Sequence, residues 1–185
     1  PDAFDKSSWP QNDKAVAEAA RRLREGEVIA IKGMGGYHIA CSALDDAAVD
    51  RLRRRKRRNR KPFAIMVASV EQAGLLCELS PAQQRQLQSY AAPVVLLKKR
   101  PDCPVAEPVA PGLDALGVML PYTPVHHLLL DAAGIPLVMT SANFSEEPLI
   151  CDNAEALARL AEIADVFLMH NRDICRQVDD SVLHL

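Results

Sequence analysis

Aromatic residues are scarce in this chain, at 4% of 185 residues, so any core must be built from Ala, Val, Leu and Ile. With 49% hydrophobic residues, that material suffices for one globular domain. No apolar run is long enough to span a bilayer. The five cysteines, Cys41, Cys77, Cys103, Cys151 and Cys175, include no Cys-x-x-Cys pair. That spacing argues against a cysteine zinc cage, and the odd number argues against a disulfide framework. A reducing, cytoplasmic compartment is expected. The net charge is only -2, so the chain as a whole advertises neither nucleic acid nor membrane as partner. Pro1 to Asp5 holds no basic stretch followed by an apolar one, as a secretory leader would. There is no initiator methionine, and Leu185 ends an apolar, strand-like run. Residues 1–185 are therefore expected to form a single domain excised from a longer protein.

Short apolar runs alternate with helical spacing along the chain. Residues 1–12, with Trp9-Pro10, read as a polar lead-in. Asn12 or Asp13 caps a helix that Gly26 ends. Strands are predicted at Val28–Ile31, Phe63–Val67, Pro93–Leu97, Val118–Leu120, Leu137–Thr140, Val166–Met169 and Ser181–Leu183. Helices are predicted from Asp45-Asp46 into the arginine run, from Ser69, from Ser80-Pro81, from Thr123-Pro124 and from Asn153. Residues 99–116, with four prolines, read as a long surface loop. The pattern argues an open α/β sheet covered by helices.

Four segments carry chemistry. Nine of the 22 basic residues fall within Arg51 to Lys61. Like charges packed this closely repel, and an anion would relieve them. A polyphosphate, an RNA backbone and a plainly solvated helix face all remain open on charge alone. Lys32-Gly33-Met34-Gly35-Gly36-Tyr37-His38 follows a strand, and three glycines in four positions exceed what a turn requires. It is neither a Gly-x-Gly-x-x-Gly nor a Walker loop. Thr140-Ser141-Ala142-Asn143 leaves a strand end, where α/β sheets hold ligands, although a polar turn or cap would read the same way. His126 and His127 point about 100° apart on a helix, so they do not share a metal; one is expected in the core or a cap. Asp179-Asp180-Ser181 reads equally as a magnesium ligand pair or a turn. No nucleophile elbow surrounds Ser141, which argues against a serine hydrolase.

In order and spacing these segments resemble the YrdC-like domain of the HypF carbamoyltransferases of nickel–iron hydrogenase maturation. The resemblance starts with Lys32-Gly33-x-Gly35-Gly36-Tyr37-His38-x-Ala40-Cys41. It continues through Leu52-Arg53-x-x-Lys56-x-Arg58-x-x-Lys61-Pro62-Phe63-Ala64, Ala110-Pro111-Gly112-Leu113 and Gly117 to Pro124. It closes with Met139 to Asn143, His170 to Ile174 and Val178 to Val182. It implies a twisted, mostly open mixed sheet with helices on it and a concave basic face for a nucleotide. It implies ATP binding by Lys56, Arg58, Lys61, Ser141, Asn143 and Ser181, with Lys56, Arg58 and Asn143 catalytic. It places the carbamate end at Lys32, Gly35, Gly36 and His38. Mg²⁺ would accompany the ATP, without a protein cage of its own.

The implied reaction joins carbamate to the α-phosphate of ATP, releasing pyrophosphate. Passage of the carbamoyl group to a HypE-type acceptor would need a Kae1-like domain that these residues do not encode. The family's acylphosphatase and zinc-finger modules are not encoded here either. The chain departs from the pattern at Ser42, Asn59 and Ala142, where relatives usually carry Asp, Pro and Gly. It also lacks the Pro-Thr-Glu segment of the threonine-using branch, which argues against threonine as substrate. A threonylcarbamoyl-adenylate synthase, an RNA-binding module and an antibiotic O-carbamoyltransferase fragment are the competing readings.

Overall fold

The computed structural model describes residues 12–58, 60–143 and 148–184. The polar lead-in up to residue 11, Asn59 and Leu185 lie outside the described residues. The chain forms one eight-stranded mixed sheet in the order β7-β1-β2-β6-β3-β5-β4-β8. The strands are β1 Ile29–Lys32, β2 Tyr37–Ser42, β3 Ala64–Met66, β4 Val94–Lys98, β5 Ala115–Met119, β6 Leu137–Ser141, β7 Val166–Leu168 and β8 Val182–Leu183. The helices are α1 Asp13–Arg24, α2 Asp46–Lys56, α3 Val70–Leu76, α4 Pro81–Leu87, α5 Pro124–Ala133 and α6 Asn153–Arg159. The expected α/β class with an open mixed sheet is the architecture found.

Strand alternation divides the core into two layers. Ile29 and Ile31 face one side with Ala40, Met66, Leu137 and Met139, under Ala19, Ala20 and Leu23 of α1 and Leu129, Leu130 and Ala133 of α5. Ala30, Ile39, Cys41, Ile65 and Val138 face the other side, against Ala48, Val49 and Leu52 of α2 and Ala73 and Leu76 of α3. The central strands are covered on both faces, so β1 and β2 are buried throughout. Caps fix the helix starts: the side chains of Asp45, Ser69, Ser80, Thr123 and Asp152 each accept a first-turn N–H.

Two segments differ from the sequence expectation. Tyr37–Ser42 is a strand, antiparallel to β1, so the glycine turn closes a hairpin. Its run of His, Ala, Cys and Ser carries weak strand preference, and burial between β1 and β6 overrides it. Residues 99–116 are shorter as a loop than expected: a 3-10 turn forms at Glu107–Val109, and β5 begins at Ala115.

The register gathers three strand ends at one place. His38 at the start of β2 lies opposite Ser141 at the end of β6, and Lys32 at the end of β1 lies opposite Tyr37. Alpha 2 delivers its last turn to the same region. It stops at Arg57, whose φ of 53° is left-handed, and the chain re-enters the core at Phe63. Arg53 holds the connection. It is buried, and its guanidinium donates to the carbonyls of Arg58 (2.8 Å), Lys61 (3.2 Å), Val109 (3.2 Å) and Pro108, while lying 4.6 Å from the centre of the Phe63 ring. Arg53→Met keeps most of the volume and removes every donor. It should lower stability by roughly 1–3 kcal/mol, read as a fall in the urea midpoint with unchanged slope.

Candidate functional site

Buried cations without carboxylate partners define the site. Lys56, the last residue of α2, is 5% exposed. Its Nζ donates to the carbonyl of Ser141 at 2.6 Å and that of Asn143 at 2.9 Å. An ammonium carries three donors, so one N–H remains for a ligand. Burial, and then the nearby charge of Arg58, push Lys56 down to about 8. The Ser141 hydroxyl donates to Asn143 Oδ1 at 2.8 Å, which orients the Asn143 amide. Arg58 is half-buried and donates to the carbonyls of Lys61 (3.3 Å) and Pro62 (2.8 Å), with its guanidinium 5.2 Å from the Phe63 ring centre. Burial, followed by Arg53, depresses its pKa as well. Lys56, Ser141 and Asn143 therefore meet directly, with Arg58 close enough to act on Lys56. Lys61 is exposed beside them and contributes its carbonyl to the loop.

Lys32 is 2% exposed, and its Nζ donates to the carbonyl of His170 at 3.3 Å. No ion pair to Lys32 forms among the described residues. A cation this deep with one neutral acceptor is poised for an anion. The glycines beside it have packing work. A Cβ on Gly35 would come within 2.5 Å of the Val178 carbonyl, and one on Gly36 within 3.1 Å of Leu149. The excess of glycine over a turn's need thus reflects two chain segments pressed onto the hairpin tip. Gly35 also accepts the Val178 N–H at 3.1 Å. His38 lies on the β2 side of the turn with its Nε2 3.3 Å from Asp180 Oδ2. Ser181 is exposed, and its carbonyl accepts the Val94 N–H at 2.8 Å, which starts the pairing of β8 with β4.

The basic run divides into two groups. Arg51 donates to the Gly26 carbonyl, Arg53 to the carbonyls already named, and Arg55 to the Ile163 carbonyl and to Asp165 at 2.8 Å. These three hold the fold together. Lys56 reaches the β6 end, and Arg58 turns back on the loop at Lys61 and Pro62. His126 is fully buried and His127 exposed, so the pair does not share a metal, as helix geometry requires. Burial presses His126 down to about 3, which keeps it neutral. Asp180 is engaged by His38 and Tyr122, and Asp179 accepts the Asp180 N–H. No group of three or more His, Cys, Asp or Glu among the described residues could hold a metal ion. Nor is any helix among them long and apolar enough to cross a membrane.

Sequence reasoning missed Tyr122 and the way Asp180 reaches His38. These residues are separated by 58 and 142 positions, and no local spacing links them. The structural role of Arg53 was hidden in the same way by its equally basic neighbours.

Comparison with known proteins bears on these residues. The family model Sua5/YciO/YrdC, described as "Telomere recombination", matches residues 21–185. The carbamoyltransferase HypF of Rhodobacter capsulatus is 52% identical over 171 residues, covering 92% of this chain and 23% of that protein. A crystal structure of full-length HypF in the phosphate- and nucleotide-bound form superposes with a TM-score of 0.88 at 52% identity, covering 91% of this chain and 27% of that one. The threonylcarbamoyl-AMP synthase of Bacillus subtilis is more distant, 28% identical over 74% of this chain and 40% of its own length. The chain spans about a quarter of the length of the HypF proteins it matches. It belongs to the Sua5/YciO/YrdC family, and is more similar to the HypF carbamoyltransferases than to this threonylcarbamoyl-AMP synthase.

Proposed function

We propose that this chain activates carbamate with ATP, forming carbamoyl-adenylate and pyrophosphate, as one module of a HypF-type carbamoyltransferase. The observation that carries the reading is Lys56. It is a buried ammonium bound to the Ser141 and Asn143 carbonyls, with one donor left and Arg58 beside it. Such a group binds an anion strongly, because the anion repays a desolvation already incurred. The similarity to a nucleotide-bound HypF supports a nucleotide as that anion.

A carboxylate oxygen of carbamate forms the new bond to the α-phosphorus. The bond from that phosphorus to the bridging oxygen of the β-phosphate breaks, and its electron pair leaves on pyrophosphate. Negative charge builds on the phosphoryl oxygens. Fixed cations stabilise it without reorganising, which is the role of Lys56 and Arg58, while Asn143 orients the nucleotide with Ser141. Lys61 and Ser181 are both exposed, and in this reading they complete the ATP contacts. Lys32, Gly35, Gly36 and His38 form the carbamate end. Mg²⁺ arrives on the phosphates of ATP, since hard cations prefer such oxygens. Transfer onward to a HypE-type acceptor belongs to a Kae1-like domain of the longer protein, in the cytoplasm.

The structural duties of Arg51, Arg53 and Arg55 weaken the RNA reading, because these cations are committed within the fold. Threonine is the stronger rival substrate, on the likeness to the Bacillus subtilis enzyme.

In calorimetry with magnesium, Lys56→Ala and Asn143→Ala should each weaken ATP binding by roughly 1.5–3 kcal/mol. Unchanged affinity in both folded variants would remove the nucleotide from this site. ATP–pyrophosphate exchange should depend on carbamate and be indifferent to threonine; a threonine requirement would select the rival.

A pH series gives a further check. Lys56 loses its proton in the free protein near pH 8, below its ordinary 10.5. ATP affinity should therefore fall as pH rises through 8, and Lys56→Met should abolish that step. Stability moves the opposite way. Between about 8 and 10.5 the unfolded chain holds the proton that the folded one has released, so this residue makes the free protein more stable as pH rises.

A further inference from the structure

His38 is set in a hydrogen-bonded arrangement that fixes which of its ring nitrogens carries the proton. Its Nε2 lies 3.3 Å from Asp180 Oδ2 and 3.4 Å from the Tyr122 hydroxyl, which donates to Asp180 Oδ1 at the shorter distance of 3.1 Å. Burial alone would raise the pKa of Asp180. The contacts with His38 and Tyr122 outweigh it, and the carboxyl lies below its ordinary value. An ionised carboxylate only accepts, and the Tyr122 hydroxyl spends its proton on Asp180, so the arrangement assigns a proton to Nε2. In the neutral ring the other nitrogen, Nδ1, is then the acceptor, and it is buried without any hydrogen-bond partner among the described residues. His38 itself is 7% exposed.

The described surroundings offer that nitrogen no donor. Nδ1 faces the backbone of Gly33, where a Cβ would come within 3.1 Å of it. The same Cβ would meet the Gly36 carbonyl at 2.9 Å, so only glycine lets the hairpin backbone come this close to the imidazole. Behind the ring, Tyr122 and His126 stack edge-on, with centroids 6.4 Å and 5.8 Å from that of His38. His126 is neutral, so it adds no charge. The Val178–Asp180 segment reaches the hairpin at both Gly35 and His38.

We propose that Asp180 and Tyr122 position His38 so that its Nδ1 accepts an N–H from the amino group of the carbamate substrate. This rests on the carbamate reading given above and assigns the group that distinguishes carbamate from other small carboxylates. The balance of the reaction decides between acceptor and base. Carbamate attacks through an oxygen that is already anionic, and pyrophosphate leaves as an anion, so no proton has to move onto His38. Its role is to orient and select. A buried acceptor left unpaired penalises a substrate that lacks the donor. Acetate offers the same carboxylate and a methyl group in place of the amine.

Two measurements on the full chain test this. Side-chain ¹⁵N NMR of histidine-labelled protein should show His38 protonated at Nε2 and bare at Nδ1. In Asp180→Asn the new amide can donate to Nε2, and part of the population should switch to the Nδ1-protonated form. ATP–pyrophosphate exchange should favour ammonium carbamate over acetate. Asp180→Asn should cut the carbamate rate about 10-fold or more, leave the acetate rate and ATP affinity within about twofold, and so collapse the preference. Tyr122→Phe should move the preference the same way by less. His38 protonated at Nδ1 in the wild type, or a preference untouched once the tautomer has switched, overturns the positioning role. An Nε2-protonated His38 in a wild type without carbamate-dependent exchange overturns the carbamate reading, and the amino-group assignment with it.

Discussion

Positive charge enters the interior of this protein without negative charge to meet it. Lys32, Arg53 and Lys56 are all buried, and the partners they find are backbone carbonyls. Carbonyl dipoles offset only part of the desolvation of a full charge. For Arg53 the remainder is a structural matter, since its several acceptors join α2, the loop after it and the 3-10 turn into one unit. For Lys56 and Lys32 fewer acceptors are present, and under the proposed function an incoming anion would meet the deficit. Binding to such a site is coupled to stability, because the ligand engages the folded form and relieves what folding left unsatisfied.

The same view accounts for a basic run of unusual density. Read as charge alone, residues 51–61 looked like one patch with one use. Helical geometry splits them. Arg51 and Arg55 reach backbone across the helix flank, Arg53 turns inward, and Lys56 emerges at the helix end under β6. Repulsion between neighbours is limited because successive residues leave the helix in different directions and meet different acceptors. Burial is the main cause of the depressed pKa values of Lys56 and Arg58, and the neighbouring cations Arg58 and Arg53 add to it.

Much of this was legible in the sequence because the signals were local. The capping residues Ser69, Ser80 and Thr123 and the apolar runs of β3, β4 and β6 marked their elements without reference to the rest of the chain. The meeting of Lys56 with Ser141 and Asn143 was legible through the family resemblance, though spacing alone would not have joined residues 85 and 87 positions apart. Beta 2 was missed because its strand character comes from neighbours on both sides rather than from its own residues. The Tyr122–Asp180–His38 contact was missed for a kindred reason: from local sequence Asp180 reads as a magnesium ligand or part of a turn, and only the fold brings it to His38.

The last stretch of chain has a mechanical meaning. It leaves β7 at one edge of the sheet and pairs as β8 with β4 at the other. Between the two it touches the hairpin tip at Gly35 and the imidazole of His38. It is a strap fastened at both margins, with the site beneath its middle. Flattening or twisting the sheet changes the span that the strap must cross, and lifting the strap loosens an edge strand. The position of the strap over the imidazole is consequently tied to the curvature of the sheet that it crosses.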